Sequence, residues 1–110
     1  MGAAIKNYQG ISFPLAELAT ELEAARLLAY RAAVLSEREV EHRKETSMAK
    51  MYAGEVLIKA VSLTSRILGG YGADKDWEAE RYLRDAFAWI AAQGTLEIQK
   101  LIISREILGR

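Results

Sequence analysis

The sequence contains no cysteine, one proline and only eight glycines in 110 residues. Without cysteine the chain forms neither a disulfide nor a thiolate metal site, and it offers no thiol nucleophile. The low proline and glycine content argues against disorder and low complexity. These absences indicate a folded chain, and the lack of cysteine fits a reducing compartment.

The chain also lacks an excess of charge of either sign, since 15 acidic and 15 basic residues give a formal net charge of zero. This balance gives no sign of a nucleic-acid partner or an anionic membrane surface. No apolar run approaches the roughly 18 residues that span a bilayer, and no signal or transit peptide is recognisable. His42 is the only histidine and a poor metal ligand by itself. We expect one domain over residues 1–110, with no metal, located in the cytoplasm or, in a eukaryote, in the mitochondrial matrix.

What the chain does have is helical periodicity. Apolar residues recur at alternating spacings of three and four, which predicts a helix running to about Glu39. Two starts are possible: Ser12 caps the helix with Pro14 in its first turn, or Asn7 caps an earlier turn that Pro14 kinks. The apolar stripe is Leu15, Leu18, Leu22, Ala25, Ala29 and Ala32.

A second helix is predicted after a short charged connection, so it should return antiparallel to the first. Thr46 or Ser47 is expected to cap it, and Gly69-Gly70 is expected to end it, because glycine adopts the left-handed conformation at low cost. Its predicted apolar face is Met48, Met51, Tyr52, Val56, Ala60, Leu63 and Ile67.

Two further helices complete the prediction. A shorter third helix should run from Trp77 to Ala91 after a cap at Asp74 or Asp76, and Thr95 should cap the last helix. The predicted inward residues are Trp77, Tyr82, Leu83, Ala86 and Ile90, then Ile98, Leu101, Ile102 and Leu108. No strand periodicity appears. We expect an all-α, up-and-down bundle of three long helices plus a shorter one.

Three segments resemble a known family in their order and spacing. Residues 66–72 read RILGGYG, residues 80–86 read ERYLRDA, and residues 93–100 read QGTLEIQK. They resemble the end of the acyl-CoA dehydrogenases, FAD-dependent enzymes of fatty acid metabolism that desaturate acyl thioesters. Residues 8–26 are similar to a long helix of that family's C-terminal domain, so the resemblance covers about residues 5–110.

The resemblance also indicates what is missing. Family members are much longer, and their C-terminal helical domain begins with a further long helix that has no counterpart here. We therefore expect an apolar groove along the stripe of residues 15–32 or that of residues 48–67. Large apolar surfaces seldom persist on monomers, so a homo-oligomer should cover the groove. Alternatively, residues 5–13 fold back and fill part of it.

The resemblance implies FAD contacts in two segments. In the family, the first approaches the FAD diphosphate of a neighbouring subunit, and the second faces FAD with a helix N-terminus. A purely structural interpretation remains open: a helix stop at Gly69-Gly70, a solvated Arg66 and a plain cap at Thr95. The implied residues are Arg66, Gly69 and Gly70 in the first segment, and Gly94, Thr95 and Glu97 in the second.

Gln93 stands where most of the family has a glutamate that removes the α-proton while the flavin accepts a β-hydride. Because an amide has no useful basicity, the resemblance implies no catalytic residue in this chain. Some branches carry the base on the helix that is missing here.

The expected function is therefore that of the C-terminal helical domain of an acyl-CoA dehydrogenase-like flavoprotein. This domain would serve FAD contacts and subunit assembly, with FAD bound in a full-length or assembled protein and no turnover by the chain alone. One alternative is a stand-alone helical scaffold, or the small subunit of a hetero-complex with a longer acyl-CoA dehydrogenase subunit, that has lost flavin. Another is a bundle that binds a hydrophobic ligand between its helices.

Overall fold

The computed structural model describes residues 2–109, and no strand occurs in that range. The all-α class is confirmed. The prediction of three long helices and one shorter helix is wrong in one respect: α4, like α3, has only 13 residues, so two helices are long and two are short. The cap at Thr95 and the left-handed Gly109 (φ 68°) delimit α4. The helices are α1 Gln9–Glu37, α2 Arg43–Leu68, α3 Ala79–Ala91 and α4 Leu96–Leu108, with 3-10 turns at Ile5–Asn7 and Gly69–Ala73.

The first two helices form an antiparallel hairpin, as predicted from the short connection. Near its open end, Lys59 Nζ lies 2.7 Å from Glu21 Oε1. Near the connection, Arg31 reaches Glu45 at 3.8 Å. The connection includes Glu39 in the left-handed region (φ 56°), which is why α1 ends at Glu37, slightly before the predicted limit.

The two short helices lie one after the other along α2. Lys50 Nζ donates to the Trp89 carbonyl at 3.1 Å, so α3 runs antiparallel to α2. Leu96, at the start of α4, packs against Gly54, whereas Ile102 shares a cavity with Arg43 at the start of α2. Thus α4 also runs antiparallel to α2 and continues in the direction of α3. The predicted up-and-down order holds for the first three helices only.

Buried residues recur at seven-residue spacing on the helices, and most of them are small. A spacing of two helical turns returns a side chain to the same face, and small side chains allow close approach. A Cβ added to Gly54 would lie 2.6 Å from Leu96 Cδ2 and 3.4 Å from Ile90 Cγ2, so α2 lies close to both short helices here. The buried series are Leu18, Ala25 and Ala32 in α1, Ser47, Gly54 and Val61 in α2, and Ala79 and Ala86 in α3.

The predicted starts of the first two helices are wrong. Helix α1 begins after Tyr8, with Pro14 inside it, and no side chain caps it, so neither Ser12 nor Asn7 has the predicted role. Tyr8 O instead accepts hydrogen bonds from the amides of residues 11 and 12 at 2.9 Å.

Helix α2 begins at Arg43, which leaves Thr46 and Ser47 inside the helix. Glu41 Oε1 accepts from the Arg43 amide at 3.1 Å, and this bond satisfies one of the free amides in the first turn of the helix.

The start of α3 also differs from the prediction. Asp74 Oδ1 accepts from the Asp76 amide at 3.0 Å, which forms a local turn before the helix. Helix α3 then begins two residues later than predicted, after Glu78, without a side-chain cap. Side chains of the capping type also form hydrogen bonds in local turns, so such a residue does not by itself locate a helix start.

Many residues predicted to face inward are exposed, because no element covers that side of the helices. No side chain in residues 2–109 is completely enclosed, and Gln99 is the most buried residue of α4. The prediction fails for Leu15, Leu22, Trp77, Tyr82, Ile98, Leu101 and Leu108, which are 43–61% exposed. It also fails for Ala29, which is exposed.

Two of these exposed residues, Leu22 and Tyr82, line the expected apolar groove. It runs along α2 between α1 and α3, has a volume of about 550 Å³, and is lined by Leu22, Val56, Tyr82 and Trp89, among others. Residues 5–13 do not line it, so the fold-back alternative is wrong. No helix in the described part of the chain is long and apolar enough to cross a membrane.

The contact at Gly54 generates a stability prediction. Gly54→Ala should lower the free energy of unfolding by about 1–3 kcal/mol, because Leu96 must move to admit the methyl group. Alanine's higher helix propensity, worth about 1 kcal/mol, offsets part of this loss. The matched control is Gly10→Ala in the first turn of α1, where nothing lies within 4 Å. Urea unfolding of both variants measures the difference, and equal stabilities would contradict the close contact.

Candidate functional site

The two predicted FAD-contacting segments lie far apart within the chain. The first follows the end of α2, whereas the second begins α4, which packs against Gly54 in the middle of α2. Arg66 is twelve residues beyond Gly54, which corresponds to about 18 Å along a helix. The structure therefore does not bring the two segments into one site.

The glycines after α2 have different structural roles. Gly69 lies in the left-handed region (φ 59°), and its amide donates to Arg66 O, as expected for a helix stop. Gly72 is required by packing, since an added Cβ would lie 2.5 Å from Ser65 O. The requirement at Gly72 was missed from the sequence, because the contact depends on the path of the turn.

Gly70 has no such structural reason. Its φ is not positive, and nothing lies within 4 Å of a Cβ added there. The helix stop therefore accounts for Gly69 but not for Gly70. The nearby Arg66 side chain is also exposed, and it forms no ion pair within residues 2–109. This end of α2 presents an open stretch of backbone beside a cation, an arrangement that fits a diphosphate.

An exposed aromatic pair follows these glycines. The rings of Tyr71 and Trp77 lie 5.2 Å apart, and the two residues are 61% and 47% exposed. Trp77 was predicted to face the core of the bundle, but it packs on Tyr71 instead. Its helix begins only at Ala79, so helical periodicity does not apply to it.

At the start of α4, side chains of the chain itself accept hydrogen bonds from the backbone amides of the helix. Thr95 caps the helix as predicted, since its Oγ1 accepts from the Ile98 amide at 3.4 Å. The Glu97 carboxylate accepts hydrogen bonds from its own backbone amide and from the Thr95 hydroxyl. These bonds, the first more than the second, lower the pKa of Glu97. A negative charge therefore already lies at this helix end, and the fit to an anionic cofactor group is poorer here than after α2.

The turn between α3 and α4 is strained and held on several sides. Gln93 has a φ of 57°, an uncommon conformation for a residue with a side chain, and Gly94 has a φ of 98°. Gln99 Nε2 would lie 2.9 Å from a Cβ on Gly94. Lys50 Nζ donates a hydrogen bond to the Trp89 carbonyl and lies 3.9 Å from the centre of the Trp89 ring. Such over-determined strain is common at functional sites.

The side chain of Gln93 is exposed and lines a polar cavity of about 580 Å³ at the start of α2. Since an amide accepts no proton at neutral pH, Gln93 offers binding but no basicity. No group of three or more potential metal-ligating residues occurs within residues 2–109.

The relatives of the chain identify its family. The family described as "Acyl-CoA dehydrogenase, C-terminal domain" matches residues 1–108. The chain belongs to the acyl-CoA dehydrogenase family. It is 50% identical to an acyl-CoA dehydrogenase of Bacillus subtilis, over 98% of this chain and 28% of that protein. It is 40% identical to the caffeyl-CoA reductase-Etf complex subunit CarC of Acetobacterium woodii, over 99% of this chain and 29% of that protein.

The fold is similar to that of solved acyl-CoA dehydrogenases. Butyryl-CoA dehydrogenase from Megasphaera elsdenii superimposes with a TM-score of 0.95 and 30% identity, over 98% of this chain and 28% of that one. The chain thus spans less than a third of the length of these relatives. The family resemblance inferred from the sequence is confirmed.

The contrast between Gly70 and Gly94 generates a second prediction. Gly94→Ala should lower the free energy of unfolding by about 1–3 kcal/mol, because it places a side chain at positive φ and against Gln99. Gly70→Ala should change it by less than about 0.5 kcal/mol, since the site is open and its φ is ordinary. Urea unfolding compares the two, and a large loss for Gly70→Ala would show that the helix stop needs both glycines.

Proposed function

We propose that this chain serves as the C-terminal helical domain of an acyl-CoA dehydrogenase-like flavoprotein, in which it contacts FAD and takes part in subunit assembly. The observation that carries the proposal is the open backbone at Gly70 beside the unpaired Arg66. Nothing within the described chain requires a glycine there, whereas a phosphate group could approach the backbone closely only if no side chain intervened.

The separation of the two segments supports contacts with two different flavins. A distance of about 18 Å along α2 suits an arrangement in which the start of α4 faces one FAD and the end of α2 faces the FAD of a neighbouring subunit. Arg66 would neutralise the diphosphate, and the backbone at Gly70 would lie against it. The carboxylate of Glu97 would face a hydroxyl rather than a phosphate, because it accepts hydrogen bonds.

In this proposal, the residues of this chain bind and position FAD, but none of them removes a proton from the substrate. When bound, FAD supplies the hydride acceptor for desaturation of an acyl thioester. Gln93 offers an amide at the position where the family has its base, so the carboxylate that removes the α-proton must come from outside this chain.

A chimera tests this proposal. In the Bacillus subtilis relative, the matching region is replaced by this chain, and we expect a yellow protein that binds FAD but desaturates acyl-CoA slowly. Gln93→Glu should raise turnover by about 10²- to 10⁴-fold, since it supplies a general base. Gln9→Glu, the same chemical change at the exposed start of α1, is the matched control and should have no effect.

Two results would contradict the proposal. A folded chimera that stays colourless with excess FAD would mean that the flavin contacts have been lost, as in the scaffold alternative. A Gly70→Ala chimera that retains full FAD affinity would remove the support drawn from the open backbone. Gly10→Ala is the control for the second comparison, because it is also an open glycine.

We also propose that a second copy of this chain covers the apolar groove. The groove is lined almost entirely by apolar side chains, and two large residues at its edge, Tyr82 and Trp89, are 49% and 54% exposed. A two-fold arrangement would insert these side chains of each copy into the groove of the other. Burying apolar surface in this way is favourable by about 25 cal/mol per Å².

Light scattering of the 110-residue chain tests the assembly. We expect a dimer or larger oligomer at micromolar concentration. Leu22→Glu, which places a charge in the groove, should shift it towards monomer. Leu27→Glu is the matched control on the same helix, since Leu27 is 59% exposed and does not line the groove. A monodisperse monomer of the unaltered chain would refute the proposal.

A further inference from the structure

A second cavity lies at the other end of α2, apart from the apolar groove. It has a volume of about 580 Å³ and is bounded by the start of α2, the Gln93 turn and α4. In contrast to the groove, most of the residues that line it have polar or charged side chains. The residues that matter for its chemistry are Arg43, Ser47, Lys50, Gln93 and Gln99.

Two side chains in this lining are buried without a protein partner. Ser47 is 3% exposed and Gln99 is 8% exposed, yet neither side chain makes a hydrogen bond with residues 2–109. No polar side-chain atom in the described range is both sealed from solvent and unpaired, so the free groups of these two residues open to the cavity. Because buried polar groups are normally hydrogen-bonded, these two are available to a ligand.

The electrostatics at this cavity favour an anion. The N-terminus of α2 lies at its edge, where the helix dipole is positive. Arg43 and Lys50 add two cations, and the contacts with Trp89 keep Lys50 in place. The Glu41 carboxylate also lines the cavity and already accepts from the Arg43 amide at 3.1 Å, so the helix end by itself does not favour an anion. The two cations outweigh this one carboxylate, and the charged lining residues leave one net positive charge.

His42 also lines the cavity, but its Nδ1 is already bonded to a backbone carbonyl. His42 Nδ1 lies 2.8 Å from the carbonyl of Val40, which only accepts, so Nδ1 carries a proton.

We propose that this cavity binds a small oxyanion, a phosphate or a carboxylate group, between the start of α2 and the Gln93 turn. The Ser47 hydroxyl and the amide groups of Gln93 and Gln99 donate hydrogen bonds to it, and Arg43 and Lys50 balance its charge. The amide at Gln93 matters here, because a glutamate would place a negative charge in the same cavity. This inference does not depend on flavin binding.

Amide NMR titration of the 110-residue chain tests the site. Inorganic phosphate and, separately, acetate are added at an ionic strength held constant with chloride, which removes general screening effects. We expect saturable shifts at Ser47, Gln93 and Gln99 at millimolar concentrations. Phosphate binding alone would indicate a phosphate ester as the natural source, whereas equal binding of acetate would indicate a carboxylate.

Variants decide whether the shifts report this cavity. Gln93→Glu should weaken binding about ten-fold or more, since it adds a like charge, and Ser47→Ala should weaken it by removing a donor. Arg38→Gln removes a cation that does not line the cavity and should leave the affinity unchanged. Because the Gln93 side chain is exposed, Gln93→Glu should leave the fold intact. The test therefore remains valid even if Ser47→Ala disturbs the helix. The absence of saturable shifts with both anions, or unchanged affinity in Gln93→Glu, would overturn the proposal.

Discussion

The close approach of α2 to its neighbours is the constraint on which the rest of the structure depends. Gly54 lies where α3 ends and α4 begins, and its missing side chain admits Ile90 and Leu96 against the helix backbone. Because α1, α3 and α4 all pack on α2, this contact determines where the turn at Gln93 lies relative to the start of α2. The chemistry proposed for that turn is thus positioned by an apolar contact.

The turn itself connects packing to function. Its left-handed residues cost conformational energy, and Lys50 and Gln99 hold it from two neighbouring helices. The same turn would place Gln93 towards the polar cavity and Thr95 at the helix end that faces a flavin in the proposed assembly. In the proposed assembly, a glutamine rather than a carboxylate at position 93 would leave no base there and would make the neighbouring cavity more favourable for an anion.

Periodicity was sufficient to predict the four helices, but it did not predict their surroundings. Thr95 was identified correctly as a cap, since its hydroxyl oxygen accepts from the Ile98 amide. At α2, Glu41 serves the first amide from outside the helix. Leu22 follows a helical stripe as well as Leu18 does, yet only Leu18 is buried. A stripe shows which residues share a face, but burial requires another element over that face.

The sequence by itself determined the all-α class, the existence of the helices, the family and the presence of an amide rather than a carboxylate at position 93, because these follow from local patterns and residue chemistry. Only the tertiary structure decided that α4 continues the direction of α3, that Gly70 has no structural need to be glycine, and that Ser47 and Gln99 face one cavity. These features depend on distances between residues that are remote in the chain, and such distances arise from how closely the helices pack.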